Sequence, residues 1–512
     1  MIIDLKKKSI SESKSYDLCI VGAGAAGITI AKEFANSRYN VSLVESGDFN
    51  FDNETQKLYE GKTKGNISQF AQYDVIDDFD YLKLSRLRYF GGTTNHWGGW
   101  CRPLDNIDFK YRDWVPDSGW PITKKELSPF YKRAEEITEI NSFEELEQRK
   151  FLWGKDNKLP ICAPFFQFSK VRFGNRYRDN ITNAQNIDLY LNANLSNIAL
   201  TDNRRRVNYL KLRSLNDKYA IIRADLVILA CGAIENARIL LNCKDDLPKG
   251  LGNENDLVGK YFMEHPHFYK GGKLLTWSWD LPHKFEKLFG QWHEFRRRAI
   301  DGVMRNRVIT LTEEAQEKHK LLNISFEVTN FAELNLKANP MADALANLSE
   351  FLLDPDKMFN YPFMPIINIR AEQQPRKANS VSLSAEKDEL GMQKVKLVNN
   401  ITPQEIENYM KSLQILGKSL GLSSRNISRL QLNFNKESVI NGAPHHMGTT
   451  RMSKNPSNGV VDINCKIHSL DNLFIAGSSV FPTVGYANPT FTIVALALRL
   501  SDHIKDLLKH EG

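Results

Sequence analysis

The apolar pattern changes period several times along the chain. Leu18–Val21 is a short uninterrupted apolar run, the pattern of a parallel strand buried on both faces. A glycine-rich turn follows, then a helical stretch, then a second buried strand at Val41–Val44. Ala224–Ala230 repeats the strand pattern and runs through Gly232 into a helix that ends near Leu241. Asn472–Gly477 is a fourth such strand, and Ile493–Ile504 is a long apolar helix. Between these lie Ile187–Ile198, read as extended chain, and a hairpin of Val207–Ser214 with Ala220–Ile222. Thr123 caps a helix that carries Leu127, Phe130, Tyr131 and Ala134 at helical spacing. Residues 48–90 and 150–190 show no regular period.

The middle of the chain has a different character. Val303–Thr312, Leu322–Val328, Met364–Ala371 and Ser380–Ser384 read as strands, and Met341–Leu353 and Thr402–Leu420 as helices. Lys284–Arg298 places Phe285, Leu288, Phe289, Trp292 and Phe295 on one helical stripe beside arginines, which predicts a core-facing helix or a membrane-surface or partner contact. The expected division is a discontinuous nucleotide-binding domain, 1–265 with 441–512, and a substrate domain, 266–440. The fold class is α/β: a Rossmann-like domain assembled from separated segments, plus an α+β unit with a mainly antiparallel sheet.

Composition narrows the class of protein. With 512 residues, 42% hydrophobic and 25% charged, the chain can bury a sizeable core and is not expected to be disordered. A net charge of +7 without a basic tail or nucleic-acid motif predicts no nucleic-acid partner. The six cysteines are scattered, with no C-x-x-C pair, so a reducing compartment and no metal site are expected. The N-terminus lacks a signal-peptide pattern and no run reaches transmembrane length, which predicts a cytoplasmic protein.

Candidate chemistry sits in three stretches. Gly22, Ala23, Gly24, Ala25, Ala26 and Gly27 spell G-x-G-x-x-G between strand and helix, with Glu45 at the end of the next strand. That context points to a dinucleotide: pyrophosphate at the helix N-terminus, acid on the ribose. It leaves FAD and NAD both open. Arg88–Pro103 crowds four glycines, Trp97, Trp100 and His96 into one loop, as though pressed against a planar ligand. His445–Met452, HHMGTTRM, is followed by GYANPTFT at Gly485–Thr492, where Pro489 opens the last helix. Its positive end suits the anionic side of a reduced flavin.

These stretches, together with ADLVILACGAIENARILL and VGKYFMEH at Val258–His265, resemble the glucose-methanol-choline (GMC) flavoprotein oxidoreductases. The loop wording NHWGG is nearest to pyranose oxidases and glycoside dehydrogenases. The resemblance implies FAD as cofactor and oxidation of an alcohol group, on a sugar, glycoside or related polyol. It assigns His445, which begins H-x-x-G-T, as the catalytic base, and Asn488 as its partner. His446 is the neighbouring alternative. The cofactor residues implied are Gly22 to Gly27 and Glu45; Gly92, Thr93, Asn95, His96, Trp97 and Gly98; and Leu195, Gly232, Gly477, Ser478, Pro489 and Thr490. In some relatives the loop histidine, here His96, is bonded to the flavin. The electron acceptor (oxygen, quinone or redox protein) is open, as is oligomeric state, and a cyanohydrin-cleaving lyase on the same scaffold is the rival activity.

Overall fold

The computed structural model describes residues 1–66, 80–147, 159–276, 295, 297–329, 366–423, 428–432 and 440–510. The predicted helix Met341–Leu353 and most of the Lys284–Arg298 stripe lie outside them.

The largest sheet is built around strand Ile10–Val21. Tyr219–Leu229 flanks it on one side and Val41–Val44 on the other, both parallel to it. Beyond Val41–Val44 come Ile187–Leu191 and then the edge strand Ile2–Asp4, again parallel. Leu473–Ile475 adds a parallel strand against Tyr219–Leu229. The other end is the antiparallel meander Asn194–Leu200, Val207–Arg213 and Tyr219–Leu229. Leu18, Cys19 and Ile20 are fully buried, as a strand covered on both faces requires. Each large apolar side chain buried this way contributes roughly 1.5–3 kcal/mol. Helix Ala25–Phe34 packs against the C-terminal helix Pro489–His510, which also packs on Lys124–Thr138.

A second sheet is antiparallel throughout. Its order is Ser428–Leu432, Pro266–Thr276, Ile366–Ala371, Ile324–Thr329, Ile309–Leu311 and Ile161–Cys162, with Asn441–Gly442 also on Pro266–Thr276. It has its own core around Phe268, Phe326, Ile369 and Leu413. The fold is therefore a Rossmann-like layer joined to an α+β unit with an antiparallel sheet, as the apolar pattern predicts.

Several details differ from the pattern. Val303–Thr312 is two strands: Val303–Arg307 pairs with Phe165–Phe168 in a four-stranded sheet, and Ile309–Leu311 joins the second sheet. The change falls at Val308, whose N–H goes to Pro164 O, 3.0 Å away. The stretches without period hold short elements, among them strands Gly61–Gly65 and Phe165–Phe168. These are too short for a period to show. Hairpin Ser380–Lys387/Gln393–Asn399 pairs with Gly61–Gly65, and its Val381, Met392, Val395 and Leu397 join the first core. Conversely, Val115, Ile161 and Ala163 join the second core. The two cores thus exchange short segments across positions 265 and 440. No described helix is long and apolar enough to cross a membrane.

Candidate active site

A cavity of about 410 Å³ runs from the first glycine turn to the start of the last helix. At one end it is lined by Gly22 to Ala26 and Glu45, in the middle by Gly92, Thr93, His96, Trp97, Gly98, Leu195 and Gly232, and at the other end by His445, Gly477, Ser478, Asn488, Pro489 and Thr490. Of the sequence-derived set, Gly27 and Asn95 stand outside this wall. A Cβ on Gly27 would lie 1.8 Å from Gly22 O, so its role is close packing of helix on turn. Asn95 Nδ2 donates to Phe90 O at 2.9 Å and braces the loop from behind.

The cavity fits a dinucleotide. Gly22 has φ +103°, which turns the chain out of the strand. A Cβ built on Gly24, Gly232 or Gly477 meets no protein atom within 4 Å, yet all three line the cavity: the backbone forms an open cradle. Glu45 Oε2 accepts the Ala23 N–H at 3.0 Å and Oε1 the Gly47 N–H at 2.9 Å, which holds its carboxylate beside the glycine turn on the cavity wall. Beside it is a cluster that sequence reasoning missed. Buried Glu235 pairs with Arg238 at 3.0 Å, Arg88 at 3.3 Å and Arg86 at 3.6 Å, and Arg238 also pairs with Asp388. Burial alone raises the Glu235 pKa, but the Arg238, Arg88 and Arg86 charges outweigh it and hold it at about 2. Three guanidiniums against two carboxylates leave one positive charge, and the buried Arg88 Nε has no hydrogen-bond partner. That surplus suits an anionic pyrophosphate. Glu235 and Arg238 three residues apart in a helical stretch, with Arg86 and Arg88 upstream, were the available signal.

At the other end two chain segments meet in an antiparallel bridge. Met263 and Met447 exchange both backbone hydrogen bonds at 3.0 Å. The next residue of one, Glu264–His265, and the preceding residues of the other, His445–His446, therefore face each other pairwise. His265 Nδ1 lies 3.0 Å from His445 Nδ1, and His265 Nε2 lies 3.3 Å from Val484 O. Only an N–H can bond a carbonyl, so His265 carries its proton on Nε2 and accepts at Nδ1. His445 then carries its proton on Nδ1 and presents a bare Nε2. Asn488 Nδ2 donates to that nitrogen at 2.9 Å, and Asn488 Oδ1 is buried without a partner.

Burial, then the charges of His265, His267 and Arg370, push the His445 pKa well below its usual value. Burial likewise holds His265 at about 4. Both rings are neutral at pH 7. His446 turns to a different set: its Nε2 lies 3.0 Å from Tyr81 Oη, which bonds buried Glu264. Glu264 and His265 were legible only as the end of the VGKYFMEH stretch, and His267, inside strand Pro266–Thr276, carried no sequence signal.

The fold and the cavity are those of a dinucleotide-binding protein with a second, antiparallel unit. A family model described as GMC oxidoreductase matches residues 375–497. The chain is 22% identical to the fructose dehydrogenase large subunit of Gluconobacter japonicus, over 98% of this chain and 99% of that one. It is 26% identical to 6'''-hydroxyparomomycin C oxidase of Streptomyces lividus, over 95% and 90%. Formate oxidase has the same fold, with a TM-score of 0.60 at 15% identity over 98% of this chain and 100% of that one. Residues 375–497 thus match the GMC oxidoreductases, and the relatives that span nearly the whole chain support FAD-dependent oxidation of a CH–OH group.

Proposed function

We propose that the chain oxidises an alcohol carbon of a sugar, glycoside or related polyol, with His445 as proton acceptor and Asn488 as the group that holds the hydroxyl. The observation that carries this reading is the bare Nε2 of His445, held by the His265–Val484 chain and facing Asn488 on the cavity wall. An alcohol oxygen entering between the two side chains donates its proton to His445 Nε2 and accepts the Asn488 N–H. His445 is neutral before the step, so it has room for the proton, and a base so placed contributes roughly 10²–10⁴-fold. Asn488 carries no charge and so does not compete for the proton. FAD, when bound, supplies the acceptor for the hydride. The residues that would hold it are the glycine cradle, Glu45, the Arg86/Arg88 edge and the helix start at Pro489–Thr490. The sugar class is supported by the names of the fructose and hydroxyparomomycin relatives. A cytoplasmic location is supported by six free thiols.

The test is anaerobic bleaching of the bound flavin by a panel of sugars, glycosides, cyclitols and simple alcohols. Bleaching by a carbohydrate supports the reading. No bleaching by any alcohol, with cyanohydrin cleavage instead, overturns it. Peroxide release in air against dye reduction then separates oxidase from dehydrogenase.

A further inference from the structure

His446 lines the same cavity as His445 but belongs to a separate hydrogen-bonded chain. Its Nε2 lies 3.0 Å from Tyr81 Oη, and Tyr81 Oη bonds Glu264 Oε1. The other Glu264 oxygen accepts from Asn399 Nδ2 at 3.4 Å. Gln373 holds this set: its Oε1 accepts the Glu264 N–H at 2.7 Å and its Nε2 donates to Asn399 Oδ1 at 2.7 Å. Glu264 is 1% exposed, and no described Lys or Arg pairs with it. A carboxylate in such a place has no cation to offset its desolvation. Among the described residues Arg86 disfavours a proton on His446, and the Glu264 carboxyl lies 3.6 Å from its Nε2.

We propose that Glu264, Tyr81 and His446 form a second proton chain, separate from His445, in which Glu264 stores a proton and His446 passes it to the cavity. The resting chain is neutral: Glu264 O–H donates to Tyr81 Oη, and Tyr81 O–H donates to His446 Nε2. Burial favours this state, raising the Glu264 pKa well above its usual range and holding that of His446 at about 3. On delivery the Glu264 O–H bond breaks and its proton passes to Tyr81 Oη. The Tyr81 proton passes to His446 Nε2, and the His446 Nδ1 proton leaves. Glu264 ends as a carboxylate, and one proton has reached the cavity. The stoichiometry gives this a use. Oxidation of one CH–OH group by one acceptor of the quinone class moves two electrons and two protons in all. The alcohol O–H proton goes to His445, the C–H hydrogen leaves with both electrons toward the acceptor, and the one further proton the acceptor needs is given through His446. Each chain is reset by one proton exchanged with solvent.

This rests on reading the cavity as the flavin site, so the first test avoids turnover. In infrared difference spectra of the full-length holoprotein, wild type minus Glu264→Gln shows a carboxylic-acid C=O band at neutral pH that shifts in D2O. Tyr81→Phe, which keeps the shape, moves that band. A difference spectrum with carboxylate bands alone overturns the inference, whatever the substrate panel shows. The second test is stopped flow. Both variants keep anaerobic flavin reduction within about twofold of wild type, while reoxidation by a soluble quinone slows about tenfold or more. Unchanged reoxidation, or a loss in reduction as large as in reoxidation, overturns a separate chain.

Discussion

Replacing His265 by leucine removes the one acceptor of the His445 Nδ1 proton while keeping a side chain of similar bulk. The 3.0 Å contact between the two Nδ1 atoms is lost, and a buried N–H is left unpaired. That costs roughly 1–3 kcal/mol. His445 escapes the cost by moving its proton to Nε2, the nitrogen that must stay bare to take the alcohol proton. Either way the competent form is less populated. At about 1.4 kcal/mol per factor of ten, anaerobic flavin reduction at saturating substrate slows roughly 5- to 150-fold. His265→Asn, whose amide oxygen can accept the same proton, recovers most of this. The substrate dissociation constant, read from the concentration dependence of the same traces, changes little, because His265 positions His445 and touches no substrate. Reduction of the leucine variant at the wild-type rate refutes the tautomer argument. So does an equal loss in the asparagine variant.

Three further outcomes follow from the same geometry. His265 and His446 titrate at about 4 and 3 in the folded chain, and His445 lies well below its usual value, all chiefly through burial. Their unfolded values are higher, so the unfolded chain binds protons first as pH falls below about 6.5. These histidines therefore add a downward slope in stability from pH 7 toward pH 5, worth about 2 kcal/mol each for His265 and His446 at pH 5, while the raised pKa of Glu264 acts in the opposite direction. His265→Asn with His446→Gln flattens that slope, and an unchanged slope contradicts the assignment. Glu235→Gln leaves Arg86, Arg88 and Arg238 facing a neutral amide and destabilises the chain by about 3–5 kcal/mol in chemical denaturation; a change under about 1 kcal/mol contradicts the cluster. Gly24→Val projects into the cradle and weakens FAD retention with little change in apoprotein melting, whereas Gly27→Ala, 1.8 Å from Gly22 O, lowers the melting temperature itself.

What was legible in the sequence follows from range. The glycine turn, Glu45 and the strand patterns are local, so Gly22 to Ala26 could be placed on the cavity wall from spacing alone. His445 and Asn488 were reached through family wording, and the structure puts them 2.9 Å apart although they are 43 residues apart in the chain. His265 and Glu264 meet His445 and His446 only across the Met263–Met447 bridge, between segments more than 180 positions apart, and Tyr81 reaches Glu264 and His446 from a third segment, contacts no local pattern encodes. The split of Val303–Thr312 was hidden for a related reason. Arg305, Asn306 and Arg307 interrupt its apolar run without a turn residue to mark a break, and the change of sheet at Val308 goes with a bond to Pro164, in the link between Ile161–Cys162 and Phe165–Phe168.

The central claim, that His445 accepts the alcohol proton beside a bound flavin, is tested most directly by His445→Ala in anaerobic single turnover. His445→Ala keeps FAD bound as in wild type, since the cradle lies elsewhere on the cavity wall, and slows flavin reduction by roughly 10²–10⁴-fold. Reduction near the wild-type rate, with FAD bound, would contradict it.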